Sequence, residues 1–222
     1  MKNNFHKLEK ESLATRIEAL IKQQIDAGIV EDYFSPELNG SGVYYLDIGT
    51  GGKFKCQVNP KRDPANRALL KNGKKGCFLC EENMPDEEEG IDLDQNWKLY
   101  PNPRPYERNH TVMVLKKTNG YHPFQVIDKK AYISKAIDTI WQLGSEENRP
   151  DFNLTFNSIK AGASSRHFHF QIFECKLPIE DFPVDFKIDK AIKTGEIPSY
   201  PAGVLVIEGK DKEALSAQLW YI

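Results

Sequence analysis

Phe156-Asn157-Ser158-Ile159-Lys160-Ala161-Gly162-Ala163-Ser164-Ser165-Arg166-His167-Phe168-His169-Phe170-Gln171 carries two of the five histidines of the chain, two residues apart, with Gln171 two further on. From His167 onward, polar and apolar residues alternate, which is the period of a half-buried strand. Successive strand side chains point to opposite faces, so Phe168, Phe170 and Ile172 form an ordinary core face. His167, His169 and Gln171 share the other face, and those groups need hydrogen-bond partners wherever they are buried. Just upstream, Phe152, Leu154 and Phe156 alternate against Asn153, Thr155 and Asn157, which predicts a second strand. The small residues of the Ala161 to Ser165 turn join the two most simply as antiparallel neighbours.

Working outward, apolar residues at three-to-four spacing (Leu8, Leu13, Ile17, Leu20, Ile21 and Ile25) predict a helix over 7–26, with Gly28 as its stop. Val43 to Ile48 and Lys53 to Val58 read as a hairpin through Gly49-Thr50-Gly51-Gly52. Trp97 to Tyr100 reads as a short strand, and the three prolines of Pro101-Asn102-Pro103-Arg104-Pro105 exclude a regular element after it. His110 to Leu115 resumes as a strand. Asp128 to Leu143 reads as a helix ended by Gly144, Ala202 to Glu208 as a late strand, and Lys212 to Trp220 as a final helix. Strands dominate without a βαβ rhythm, so an α+β fold with an antiparallel sheet is expected.

The 222 residues are 40% hydrophobic and 28% charged, an ordinary globular composition. A net charge of -2 gives no general case for nucleic acid or an anionic membrane as partner. No run of eighteen apolar residues is present, and Met1 to Lys10 lacks an apolar signal core, so neither a membrane span nor secretion is expected and the protein is read as cytoplasmic. Asn59 to Lys75 is basic, through Lys61, Arg62, Arg67, Lys71, Lys74 and Lys75. Such a run forms either a solvated face or a patch that attracts phosphate.

Cys77-Phe78-Leu79-Cys80 is a lone C-x-x-C among four cysteines. It reads as a redox pair, as two ordinary buried cysteines or as half of a zinc site. With no second C-x-x-C, a four-ligand zinc site would have to draw its remaining ligands from His or carboxylate. Outside the N-terminus the histidines are His110, His122, His167 and His169, so a Cys2His2 site would use the histidine strand. One strand histidine is then left for other work. A neutral imidazole is a good nucleophile towards phosphorus, and its free pKa of about 6.5 leaves it mostly unprotonated at neutral pH. Gln171 could donate to a phosphate oxygen, and the Ala161 to Ser165 turn could bind anions through its backbone amides. The constellation suggests nucleophilic attack on a phosphate. The plainer reading is a pair of surface histidines on an amphipathic strand.

Asn157, Ala161-Gly162-Ala163-Ser164 and His167-Phe168-His169-Phe170-Gln171 together resemble the signature of the histidine triad (HIT) superfamily. Gln in the third position resembles its transferase branch, which holds galactose-1-phosphate uridylyltransferase, diadenosine tetraphosphate phosphorylase and GDP-L-galactose phosphorylase. Tyr100 to Pro105, His110 to Lys116 and His122 resemble the upstream segment of HIT proteins, and Cys77 to Cys80 the C-x-x-C of zinc-containing members. Gln57 to Arg62 is similar to a stretch of GDP-hexose phosphorylases and puts Arg62 among candidate substrate-binding residues.

The resemblance implies a HIT-like antiparallel sheet with flanking helices. It implies a HIT-like catalytic core at 77–175. The terminal segments lie outside the resemblance, and they are expected as a helix-and-hairpin extension at 1–76 packed on that core and a C-terminal extension of the same domain at 176–222. The resemblance further implies His169 as a nucleophile that takes a nucleoside monophosphate covalently, with Gln171 on the transferred phosphate and Asn157 positioning. Asn102 would contact ribose, and Gly162, Ser164 and Ser165 would lie beside the phosphate. Cys77, Cys80, His122 and His167 would hold a structural zinc, with His110 as the alternative to His122 because the interval from Lys116 is long. The expected activity is nucleotidyl transfer or phosphorolysis on a dinucleoside polyphosphate or nucleotide sugar, with a phosphate-bearing acceptor and a possible homodimer. A HIT-like hydrolase and a zinc-stabilised, non-catalytic nucleotide-binding protein are the alternatives.

Overall fold

The structure is a computed structural model and describes residues 11–32, 43–47, 49, 53–57, 76–118, 120–189 and 192–222. The expected strand at 43–48 and hairpin link at 49–52 fall partly outside these residues. Arg62, the whole basic run from Asn59 to Lys75 and the first turns of the expected N-terminal helix fall outside them entirely.

In chain order the elements are α1 (Leu13–Asp26), β1 (Val43–Asp47), β2 (Lys53–Gln57), β3 (Ile91–Asp92), β4 (Trp97–Pro101), β5 (Arg108–Leu115), α2 (Lys130–Trp141), β6 (Phe152–Thr155), β7 (His169–Glu174), β8 (Asp185–Asp189), β9 (Ile192–Glu196), β10 (Leu205–Gly209) and α3 (Lys212–Trp220). They fall into two compact units. The first holds α1, β3 to β7 and the loops at 76–126 and 142–175. The second holds the hairpin, α2 and everything after residue 175.

The first unit is built on a five-stranded antiparallel sheet in the order β3-β4-β5-β7-β6. Its register sorts the side chains. Leu99, Met113 and Phe170 lie across from one another on one face, as do Pro101, Thr111 and Ile172. The opposite face carries Tyr100, Val112 and Gln171 in one row, and Lys98, Val114 and His169 in the next. Alternation along β7 therefore separates Phe170 and Ile172 from His169 and Gln171 as its period requires.

The apolar face centres on Phe168, which is wholly buried. Its ring lies 5.8 Å from Trp97, 5.4 Å from Phe156 and 5.2 Å from Phe170, in edge-on or tilted geometry. Removing such a ring deletes apolar contact and leaves a cavity, at about 3–5 kcal/mol. Phe168→Ala is accordingly expected to lower the thermal midpoint by roughly 10 °C, read by near-ultraviolet circular dichroism. A shift under 3 °C would mean that this cluster does not carry the unit.

Helix α1 starts at Ser12, whose side chain accepts from Thr15 N, and Glu147 takes the next free donors. Its carboxylate accepts from Leu13 N at 2.7 Å and Ala14 N at 2.8 Å. The carboxylate also suits the positive end of the helix dipole. The helix stops as expected at Gly28, whose φ of +74° is open to glycine without strain.

In the second unit, β1 pairs with β2 as the expected hairpin, and β10-β9-β8 form a three-stranded antiparallel sheet. Helices α2 and α3 pack together, with Ser134 and Ser216 hydroxyls 2.7 Å apart and Lys212 paired to Asp138 at 3.0 Å. Among the described residues, no helix is long and apolar enough to cross a membrane.

Candidate functional site

The Cys77 to Cys80 segment closes on itself, with Cys80 N donating to Cys77 O at 3.1 Å and the Asn83 amide donating to the same oxygen at 2.9 Å. Leu79 and Met84 of this segment pack on Tyr100, Val112 and Val114, so it covers part of the sheet face that carries His169. Both thiols are thereby delivered to one histidine. Cys77 Sγ and Cys80 Sγ each lie 3.5 Å from His167 Nδ1, and Cys80 Sγ lies 4.0 Å from His122 Nδ1. The four donor atoms all sit within 4.8 Å of one another.

That spacing fits a tetrahedral ion. With bonds of about 2.3 Å to sulfur and 2.1 Å to nitrogen, a tetrahedral centre holds S and N roughly 3.6 Å apart. The tautomer fits as well. His167 Nε2 is 2.7 Å from the carbonyl oxygen of Leu115, which only accepts, so Nε2 carries the proton and Nδ1 turns its lone pair to the sulfurs. Burial pushes the His167 imidazolium down to about 4, which keeps that lone pair available at neutral pH. Burial, together with the adjacent Cys77, pushes the Cys80 thiol up to about 12. A bound cation is what would draw such thiols to thiolates. The Cys2His2 group can therefore hold a metal ion. His122, not His110, is its fourth member.

His169 stands two residues beyond that group and is buried. Its Nδ1 lies 2.8 Å from the carbonyl oxygen of His167, so Nδ1 carries the proton and Nε2 keeps its lone pair. Burial holds its imidazolium pKa below the usual value, against the opposing hydrogen bond to His167. The result is an oriented, neutral ring with one basic nitrogen.

Gln125 locks the backbone at this point, and no pattern in the sequence marks it. Strand β6 ends with Thr155 opposite Gln171, two pairs short of Asn157 opposite His169. Gln125 fills that gap. Its Oε1 accepts from His169 N at 2.7 Å, and its Nε2 donates to His169 O and Asn157 O, each at 2.9 Å. The fully buried amide of Gln125 thus replaces a strand neighbour. It also spreads Asn157 from His169. Asn157 packs instead on Gly162, where an added Cβ would meet Asn157 Nδ2 at 2.9 Å and the φ is +99°.

The remaining expected residues divide between two places. Asn102 lies with Gln171 around His110. Asn102 Nδ2 is 3.2 Å and Gln171 Oε1 3.0 Å from His110 Nε2. Ser165 turns to the sulfurs, its hydroxyl accepting from His167 N at 3.1 Å and lying 3.6 Å from Cys77 Sγ. Ser164 is exposed on the turn. Gln125 carries no expectation from the sequence, and His110 was expected only as an alternative metal ligand; both act through hydrogen bonds to distant parts of the chain.

A family model described as "Domain of unknown function (DUF4922)" matches residues 22–174, which contain the whole constellation. No curated protein matches the chain. Among solved structures, yeast Ap4A phosphorylase Apa2 in complex with Ap4A aligns over 92% of this chain and 70% of its own, at a TM-score of 0.57 and 15% identity. The same enzyme in complex with AMP aligns over 95% and 70%, with the same TM-score and identity. The fold is thus α+β and HIT-like, in the form that this phosphorylase also adopts, as the resemblance implied.

Proposed function

The chain belongs to the DUF4922 family, and we propose that it is a nucleotidyltransferase of phosphorylase type, acting through a covalent nucleotidyl-His169 intermediate. The observation that carries this reading is the state of His169, whose Nδ1–H donates to the His167 carbonyl and leaves Nε2 as the free nucleophile. The Nε2 lone pair forms a P–N bond at the α-phosphorus of a nucleotide phosphoanhydride. The bond from that phosphorus to the bridging oxygen breaks, and the leaving phosphate fragment takes its electron pair. A phosphate oxygen of the acceptor then attacks the same phosphorus, the P–N bond breaks, and Nε2 recovers its lone pair. While the ring carries the nucleotidyl group it is cationic, and the His167 carbonyl oxygen on Nδ1–H stabilises it.

The other residues serve this displacement. Gln171 donates its amide to the transferred phosphate, Asn102 contacts the nucleoside, and Gly162 with the Ser164 turn and Arg62 complete the substrate side. The sulfur and nitrogen donors of Cys77, Cys80, His122 and His167 suit zinc. Zinc here would tie the C-x-x-C segment to the start of β7 and contribute folding free energy, four protein ligands leaving no position for an activated water. The substrate class is a dinucleoside polyphosphate or nucleotide sugar. The likeness to an Ap4A phosphorylase supports testing the dinucleoside polyphosphate first.

The test is to mix the protein with diadenosine tetraphosphate labelled at the α-phosphorus, without acceptor, and quench in alkali. An acid-labile label on the peptide containing His169 is expected. Inorganic phosphate should discharge it as nucleoside diphosphate. Equal AMP formation with and without phosphate would replace transfer by hydrolysis, and nucleotide bound tightly with no label would leave a binding protein only.

A further inference from the structure

His110 is buried on the same sheet face as His169, yet it stands outside the metal group. Its surroundings give it a defined role that rests on the reading of His169 above. Tyr106 N–H donates to His110 Nδ1 at 3.4 Å, and Gln171 Oε1 lies 3.0 Å from His110 Nε2. With the proton on Nε2, both of these contacts are hydrogen bonds, while Asn102 Nδ2 at 3.2 Å meets a donor. With the proton on Nδ1, the Asn102 contact is a bond, but the other two become donor against donor and acceptor against acceptor. The Nε2–H tautomer satisfies more partners.

Gln171 Oε1 then accepts from His110 Nε2–H and also from the Tyr106 hydroxyl, at 3.3 Å. A carbonyl oxygen has two lone pairs, so both are occupied. The amide NH2 end of Gln171 is left as the group that faces away from this pair. A glutamine whose two ends could exchange freely would present oxygen to a phosphate half of the time. Here the exchange would put NH2 against an N–H donor.

The device is held firmly. Asn109, just before His110, has a φ of +54° at a register shift between Arg108 and Thr111. Its side-chain amide donates to Glu174 Oε2 at 2.7 Å, and the Arg149 guanidinium binds the same carboxylate. The His110 ring also packs on Tyr106, at 4.1 Å between centroids, and on Phe173, at 6.0 Å.

We infer that His110 and Tyr106 are positioning residues that occupy both lone pairs of the Gln171 carbonyl and so aim its amide N–H groups at the phosphate transferred to His169. His110→Phe keeps the ring packing and deletes the donor, while His110→Gln returns an N–H near the Nε2 position. With diadenosine tetraphosphate and inorganic phosphate, Gln171→Ala should lower kcat on the order of 100-fold, as loss of one donor to a developing charge does. His110→Phe should lower kcat about 10-fold with KM nearly unchanged. His110→Gln should recover most of that loss. His110→Phe should cost nothing further in the Gln171→Ala background, because the two act as one unit.

Nitrogen-15 NMR of the His110 ring, read on the whole protein, should show the Nε2–H tautomer. An Nδ1–H tautomer, or equal losses from His110→Phe in both backgrounds, overturns the inference while the nucleophile stands. Full turnover in His169→Asn removes the reading itself, and the inference falls with it.

Discussion

His169→Asn is expected to abolish the covalent adduct and to reduce turnover on the true nucleotide substrate on the order of 10⁴-fold or more. Asparagine is chosen on geometric grounds. Its amide nitrogen falls near the position of Nδ1 and can keep the 2.8 Å bond to the His167 carbonyl. It has no atom where Nε2 stands. The backbone bonds of residue 169 to Gln125 do not involve the side chain, so the strand is retained. A loss of about 5.4 kcal/mol of transition-state stabilisation corresponds to that factor. Single-turnover measurements should locate it in formation of the adduct, with substrate affinity little altered. If His169→Asn turned over at the wild-type rate, the nucleophile would be wrong.

The second large effect is loss of the metal. Cys77→Ser is expected to purify with little or no zinc and to melt more than about 10 °C lower. Zinc-binding free energies in small domains reach about 10–16 kcal/mol. Only part of that need be lost here, because the Phe168 cluster and the sheet register hold the unit independently. Cys56→Ser, on β2 of the other unit, should keep full metal content and serves as control. The pH dependence has a definite sign. Binding requires both thiols to lose protons, and the Cys80 thiol is pushed up to about 12 without metal. Binding therefore releases protons, so retention weakens as the pH falls. Metal analysis after dialysis from pH 8 to pH 5 reads this directly. Stoichiometric metal in Cys77→Ser would remove the four-ligand site.

The strands that bury one face were legible because alternation is a local property. Beta-6 and β7 fall within a residue or two of their expected ends, and so does β4, although its last residue is Pro101. The 152–156 and 167–173 stretches each place three apolar residues on one face, enough to set the period. Strands β8 and β9 were not foreseen. β9 has a single large apolar residue, Ile192, and β8 has only two, Phe186 and Ile188, one fewer than the strands that were legible by alternation, so neither stands out from a loop without its partner. The two-residue β3 exists only as a partner of β4. At the site, the identity of His169 and the C-x-x-C was readable from residue type and spacing. The choice between His110 and His122 was not, since both follow the same segment.

The amino-acid sequence by itself determined an α+β chain with an antiparallel histidine strand, and it determined which side chains share that strand's polar face, because pleating depends only on neighbouring residues. Tertiary structure alone decided the chemical state of the His110, His167 and His169 imidazoles. The Leu115 carbonyl orients His167 towards the thiols, the His167 carbonyl frees Nε2 of His169, and Tyr106 with Gln171 sets the proton on His110. Gln125 joins the strand from 44 residues away. A tautomer is chosen by whichever donor or acceptor the fold brings within about 3 Å, and no local pattern records which one that will be.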